Sequence, residues 1–443
     1  MRIAIIGAGP AGLAAAYDLT RPEAAAGTTG STAVSHHVTV FEAAPTVGGL
    51  AAGFKAPHWD WTLEKFYHHW FASDAAILGL IKELGWGDQV LFSRPVTAMF
   101  HDDKFYAFDS AMAVLRFPGV PFIDRVRCGV MALYLRLTPR WQSLEKVTAD
   151  AWLRKWLGPR GYDTLWKPML IGKFGEENLS LVNMAWFWAR IHARTPRLGT
   201  FQGGFQAFMD KLADVVRVQG TEFQLNSPVT GVTPLPNGQL QVETASGFTP
   251  FDAVISTSSP ALMARMVPAL PSAYADQLRA LKSLGAVVLV LALDRPLTRR
   301  IYWYNLPKEA GFPFLALVEH TNYMSPDHYG GDHIVYCGDY LEPTHRYFQL
   351  SQDELLDEFL PSLTRFNPEF ERSWVRQAWL WKTAYAQPVP PVDHSRSIPA
   401  IRTPVKGLYF ASMSQVYPWD RGTNFAVEIG RKAAKIVQED LGR

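Results

Sequence analysis

Cysteine is nearly absent from this chain. Cys128 and Cys337 are the only two in 443 residues, too few for a disulfide framework or a four-cysteine zinc site. A reducing, cytosolic compartment is the simpler expectation. Charge is also scarce, at 19% of residues against about 25% in ordinary soluble domains. The 43 basic and 41 acidic residues leave a formal net charge of +2, so the balance gives no reason to expect nucleic acid. No run reaches the ~18 uncharged apolar residues of a membrane-spanning helix. The longest, Leu284 to Leu293, suits a buried strand. There is no His-x-x-x-His helix, no cysteine pair at ligand spacing, no Gly-x-Ser-x-Gly elbow and no kinase-type phosphate loop. His36-His37 reads as part of an exposed loop, and no metal is expected.

What is plentiful is apolar and aromatic. Hydrophobic residues reach 48%, and the 13% aromatics include 15 Trp, which excludes a disordered chain. The length exceeds what one core supports and predicts two or three domains. The apolar start, Met1 to Leu19, is interrupted by Gly7, Gly9, Pro10 and Gly12. It reads as strand, tight turn and helix rather than as a signal peptide. The small polar residues 23–35 predict a flexible loop before the second strand. Residues 76–200 predict mostly helices, among them Val147–Leu157 and the aromatic Leu181–Arg194. Short strands are expected at Glu222–Leu225, Leu240–Thr244, Ala253–Ser256 and Phe314–Val318, and a helix at Gln352–Phe366. A Pro-rich return at 386–399 precedes a final strand and helix.

The sharpest motif is at the start. The apolar Ile3-Ala4-Ile5-Ile6 runs into Gly7-Ala8-Gly9-Pro10-Ala11-Gly12 and then a helical segment, the dinucleotide-binding fingerprint in its required context. Gly7 serves the tight turn, Gly9 lets backbone approach a pyrophosphate, and Gly12 allows close packing of helix on strand. The helix start then favours phosphate through its free N–H groups and dipole. The strand Val38–Phe41 ends at Glu42, thirty positions after Gly12 instead of the usual ~20; the loop at 23–35 accounts for the excess. An acid there suits ribose hydroxyls and disfavours a 2′-phosphate. Gly48-Gly49-Leu50 follows, a second glycine pair that lets backbone pass against a cofactor.

Together Gly7 to Gly12, Glu42 and Gly48-Gly49 resemble the amino terminus of the flavin-containing amine oxidase superfamily, which includes protoporphyrinogen oxidase, phytoene desaturase and, more distantly, UDP-galactopyranose mutase. The resemblance continues at Gly203-Gly204-Phe205-Gln206, at Asn226-Ser227-Pro228-Val229 and Asp252–Ile255, and at Gly407–Ala411 followed by Gly422-Thr423-Asn424. It implies FAD as cofactor and an α/β fold: a Rossmann-like FAD-binding domain, discontinuous in sequence (1–75, 200–262 and 400–443), and a mixed α+β substrate domain (76–199 and 263–399). It implies cofactor contacts at Gly7, Gly9, Pro10, Ala11, Gly12, Glu42, Gly48, Gly49, Leu50, Val229, Ser412, Gly422, Thr423 and Asn424. Thr423 or Asn424 would cap a helix whose positive end faces the flavin. The sequence departs from the family pattern at Leu50, where many members carry Arg, and at Ser412-Met413, where they carry Gly-Asp.

On the substrate side, Lys65-Phe66-Tyr67-His68-His69-Trp70-Phe71 is the densest aromatic and imidazole cluster. It resembles the Gly-Pro-His segment near the flavin of the mutase, with Tyr67-His68 in place of Gly-Pro. His68 and His69 are candidate proton shuttles, and Tyr417, just before the flavin-facing helix, is a third catalytic candidate. Trp419, Asp420 and Arg421 share that position. Arg190 and His192 sit on the aromatic helix, where a buried charge requires a partner. Glu319-His320 is read as structural, and Lys382 and Tyr385 precede the return to the FAD segment. Met112 to Trp141 carries five Arg and reads as an amphipathic helix with a solvated basic face, the alternative being peripheral contact with a membrane. The resemblance implies hydride removal from a C–N or C–C bond of an apolar small molecule, isoprenoid or tetrapyrrole. The alternative is a redox-neutral sugar-nucleotide mutase, which needs cationic groups for a diphosphate where an oxidase needs an apolar tunnel. After residue 200 the FAD-like segments hold only Trp419, at the flavin edge; Trp59, Trp61 and Trp70 flank the histidine pair, most others fall in the substrate segments, and they are expected to wall a dry pocket.

Overall fold

The computed structural model describes residues 1–21 and 36–442; the loop expected at 23–35 lies outside them. Ile3, Ala4 and Ile5 have no exposed surface, because their strand Arg2–Ile6 is the middle of a five-stranded sheet. In spatial order the strands are Glu222–Gln224, His37–Phe41, Arg2–Ile6, Ala253–Ser256 and Leu408–Phe410, all parallel. This is the doubly wound order, with the crevice for a ligand at the carboxyl ends of the strands. An antiparallel meander spans 231–251 beside it.

The first helix, Pro10–Thr20, is buried along nearly its whole length. Its alanines leave room for the last helix, Thr423–Leu441, to pack against it. At the crossing a Cβ on Gly430 would stand 2.1 Å from the Ala11 carbonyl oxygen. A Cβ on Gly12 would meet the Gly7 carbonyl at 1.9 Å. These two glycines let backbone touch backbone, so the amino-terminal ends of both helices reach the same crevice.

A second sheet has seven strands in the order Val375–Pro388, Ser283–Leu293, His333–Leu341, Ala316–Glu319, Ile301–Asn305, Val96–His101 and Lys104–Ala107. It is antiparallel except where Ile301–Asn305 runs parallel to Val96–His101. The apolar run at 284–293 is its fully buried second strand, as expected from its composition. The helical reading of 76–200 needs correction: Val90–Ser93, Val96–His101 and Lys104–Ala107 are strands. Val96–His101 pairs on one edge with Lys104–Ala107 across the turn at Asp102-Asp103 and on the other with Ile301–Asn305, some two hundred residues away, a partner no local pattern reveals. Helices do fill 111–193, including Ala149–Leu165, kinked at Gly158, and Met184–Ala193, capped by Asn183.

Residues 112–141 form two helices, Ala111–Arg116 and Phe122–Leu137. Their outer face is not simply basic. Phe122, Ile123, Val130, Leu133 and Leu137 are all more than half exposed, alternating with Arg127 and Arg136. No helix among the described residues is long and apolar enough to cross a membrane.

The helix crossing gives a paired prediction. Ala is favoured over Gly in a helix interior by about 1 kcal/mol, so Gly129→Ala, where a Cβ meets nothing, should stabilise by roughly that amount. At Gly430 the collision with the Ala11 backbone outweighs propensity, and Gly430→Ala should destabilise by about 1–3 kcal/mol. Urea unfolding of the two variants measures both; equal effects would remove the close crossing from the argument.

Candidate active site

A cavity of about 290 Å³ opens where the two sheets and both helix starts meet. One end is backbone: Gly7, Gly9, Pro10 and Ala11 from the first turn, Gly49 and Leu50 from the glycine pair, and Gly422 and Thr423 from the start of the last helix. The other end is side chain: Phe66, Tyr67, His68, Val288, Tyr340 and Tyr385. Glu42 lines the first end. Its carboxylate accepts from Ala8 N–H at 2.8 Å and Ala44 N–H at 2.9 Å, which fixes the side chain and leaves lone pairs on both oxygens. Gly48 donates to the Ala8 carbonyl at 2.9 Å, and a Cβ on Gly49 would stand 3.1 Å from the Gly9 Cα. The second glycine pair therefore packs directly on the first turn.

Neither helix start is capped by a side chain. Gly9 and Gly422 occupy the N-cap positions. The expectation that Thr423 or Asn424 would cap the last helix is corrected: Thr423 Oγ1 accepts from Trp70 Nε1 at 2.7 Å. Asn424 Oδ1 caps a different helix, Ala75–Glu83, accepting from Ala76 and Ile77 N–H at 2.9 and 3.1 Å. Two sets of first-turn N–H groups are thus directed at one cavity with no protein oxygen taking them up from the caps.

Several other candidates lie off the cavity wall. Gly12 and Gly48 serve packing. Val229 is buried in the cluster that holds Ile6 and Phe41. Ser412 bonds to the Tyr385 hydroxyl at 2.9 Å, so Tyr385 takes up the hydroxyl expected to meet a cofactor, while its neighbours Ala411 and Met413 line the wall. Tyr417 bonds to Glu145 and Asn183 among the helices, and does not reach the cavity. Lys382 donates to the Phe348 and Leu350 carbonyls, Glu319 Oε2 accepts from Thr298 N–H at 2.8 Å while its buried Oε1 has no partner, and His320 Nε2 pairs with the Tyr329 hydroxyl. No tryptophan is among the lining residues. Trp419 stacks on Phe425 and lies against Trp188, and the wall is phenylalanine and tyrosine instead.

Of the two histidines, only His68 faces the cavity. Its Nδ1 lies 2.5 Å from the Phe66 carbonyl. A carbonyl only accepts, so Nδ1 carries the proton and Nε2 the lone pair. Burial holds His68 down to about 4 and, with the Arg194 charge adding, His69 to about 3. Both rings are neutral at pH 7. Residues outside any motif also line the wall, among them Asp339, Tyr340 and Thr257. Sequence pattern alone had no signal for Asp339 and Tyr340, which look like any alternating pair on a strand.

The doubly wound sheet, the glycine turn and the cavity between two helix starts define an FAD-dependent oxidoreductase of the Rossmann type. The profile of the flavin-containing amine oxidoreductases matches residues 10–438, and the chain belongs to that family. Among solved structures, it is similar to a candidate protoporphyrinogen oxidase from Exiguobacterium sp. 255-15, with TM-score 0.76 and 16% identity over 100% of this chain and 99% of that one. The cyclohexylamine oxidase of Brevibacterium oxydans IH-35A gives 0.72 and 17% over 100% and 99%. A reduced UDP-galactopyranose mutase gives 0.73 and 14% over 100% and 94%. These likenesses are of fold. No curated protein matches the sequence.

The residues present fit the cofactor. The uncapped N–H of Ala11, the first after Pro10, suits a pyrophosphate, and those at 423–425 suit the negative charge of a reduced flavin.

The histidine states are measurable. The folded values lie below 6.5, so below that pH the unfolded chain binds more protons and stability falls as pH drops from about 6.5 toward 4. Nitrogen-15 histidine spectra should show His68 as the neutral Nδ1–H tautomer at pH 6. A protonated ring at that pH would contradict the assignment.

Proposed function

We propose that this protein removes a hydride from a C–N or C–C bond of an apolar substrate, of the isoprenoid or tetrapyrrole kind. The observation that carries the reading is the continuity of one cavity from two uncapped helix starts to an apolar sheet face at Ala286 and Val288. Bound FAD supplies the hydride acceptor; the protein supplies position, dryness and charge. In this reading 1–75, 200–262 and 400–443 form the FAD-binding domain, and 76–199 with 263–399 the substrate domain. Gly9 and Ala11 hold the pyrophosphate, Glu42 the ribose, and Gly422 and Thr423 the flavin end. Phe66, Tyr67 and Val288 exclude water from the reacting carbon, which strengthens every electrostatic contact there. His68, with its lone pair on Nε2, is the proton acceptor closest to hand. The match to the flavin-containing amine oxidoreductases supports this oxidoreductase over the redox-neutral mutase.

The exposed apolar side chains of Phe122–Leu137, interleaved with Arg127 and Arg136, support peripheral contact with an anionic membrane, where such a substrate dissolves. Flotation with phosphatidylserine vesicles but not with phosphatidylcholine alone is the expected result; no flotation with either would remove the membrane from the proposal.

Purified protein should show the flavin absorbance band at one FAD per chain, bleached anaerobically by the true substrate class. Glu42→Ala removes a charged acceptor worth roughly 1.5–3 kcal/mol, so FAD retention should weaken by about 10- to 100-fold. Colourless protein that takes up no added FAD would sink the reading.

A further inference from the structure

Asp420 sits among four basic side chains. Its Oδ2 lies 2.6 Å from Arg190 Nη1, 3.1 Å from Arg194 Nη2 and 3.9 Å from Lys173 Nζ. Its Oδ1 accepts from Trp186 Nε1 at 3.2 Å and from the Arg421 backbone at 3.1 Å. The Arg421 guanidinium feels the Asp420 charge but donates elsewhere, to the Tyr340 hydroxyl and to Gln387 Oε1. One carboxylate therefore serves four cations.

No other acid among the described residues closes the deficit. Asp74 feels the Arg194 charge, yet its Oδ2 accepts from Phe71 N–H at 2.9 Å. Asp339 is paired with Lys308 at 3.6 Å, and burial raises it to about 7. The Lys173 and Arg190 side chains are only 12% and 14% exposed. Cations held that far from water cost several kcal/mol each unless an anion compensates them. Burial, with the three arginines adding, pushes the Lys173 ammonium well below its ordinary range, and Asp420 alone opposes this. A second anion would let Lys173 keep its proton.

The surplus reaches the cavity. Arg421 and Tyr340 are on its wall, and the Lys173 ammonium lies 5.0 Å from the centre of the Tyr340 ring. Beside them the buried Nδ1 of His69 has no hydrogen-bond partner. Guanidinium forks suit planar or tetrahedral oxyanions, which they bind through paired charge-assisted hydrogen bonds.

We infer that Lys173, Arg190, Arg194 and Arg421 bind an anionic group of the substrate, a carboxylate or a phosphate, while the apolar cavity takes its body. This rests on the flavin-site reading above and makes the substrate amphipathic.

The test is a titration of the FAD-loaded enzyme with octanoate, octyl phosphate, octanol and octylamine, read by perturbation of the flavin band. Octanoate or octyl phosphate should bind about tenfold or more tightly than octanol, and the tighter of the two identifies the group. Arg194→Gln, at the more exposed cation, should weaken that anion about tenfold and leave octanol unchanged. Asp420→Asn, which removes the competing carboxylate, should tighten it, an effect of opposite sign that mere damage to the fold would not produce. Equal binding of all four probes, or an anion affinity indifferent to both substitutions, overturns this inference alone. Wild-type protein that holds no FAD overturns the flavin-site reading and this inference with it.

Discussion

The site depends on one close approach, that of the first helix to the last. Two helix starts reach the same cavity only because Gly430 lets backbone lie against the Ala11 carbonyl and Gly12 lets the first helix lie on its own strand. Any side chain at those points separates the elements and takes one set of N–H groups out of the crevice. The rest of the binding end follows. Gly49 closes on Gly9, Glu42 is fixed by Ala8 and Ala44, and Thr423 is locked by Trp70. Because Thr423 and Asn424 spend their oxygens on neighbouring elements, the last helix keeps its amino-terminal charge for a ligand.

The two ends of the cavity are electrostatic opposites of an ordinary surface. At the substrate end, burial strips charge from the imidazole of His68. Charge persists where arginine carries it, since a guanidinium does not give up its proton in a protein. Burial thus sorts the groups into neutral ones that can accept a proton near the reacting atoms and permanent cations that can only hold an anion. Asp420 keeps the cation cluster together without neutralising it. Its carboxyl, surrounded by Lys173, Arg190, Arg194 and Arg421, is held far below the ordinary range.

Much of the fold was legible because its signals are local. A glycine turn between an apolar strand and a small-residue helix needs nothing distant to be recognised, and the eleven-residue strand Ser283–Leu293 announces itself by its run of Val and Leu. Of the strands at 90–107, Val90–Ser93 pairs with Leu198–Phe201 and Val96–His101 with Ile301–Asn305, both remote in sequence, whereas the hairpin of Val96–His101 with Lys104–Ala107 is local. Site residues divide the same way. Gly9 and Gly49 matter through backbone shape and Glu42 through a carboxylate at a strand end, and local pattern marks all three. His68 was separable from His69 only by which way each ring points. Ser412 and Tyr417 were placed by proximity to a motif, and their hydroxyls bond to Tyr385 and Glu145. The pairing of Arg190 with Asp420 illustrates the converse: a buried charge on an aromatic helix demanded a partner, and the partner lay two hundred and thirty residues away.

The most direct measurement is a crystal structure of the protein with FAD bound. The pyrophosphate should lie at the first helix start on the N–H of Ala11, the ribose on Glu42, and the isoalloxazine between the start of the last helix and the wall formed by Phe66 and Tyr67. A flavin bound elsewhere, or one whose pyrophosphate avoids the first helix start, would contradict the central claim that two uncapped helix ends build this site.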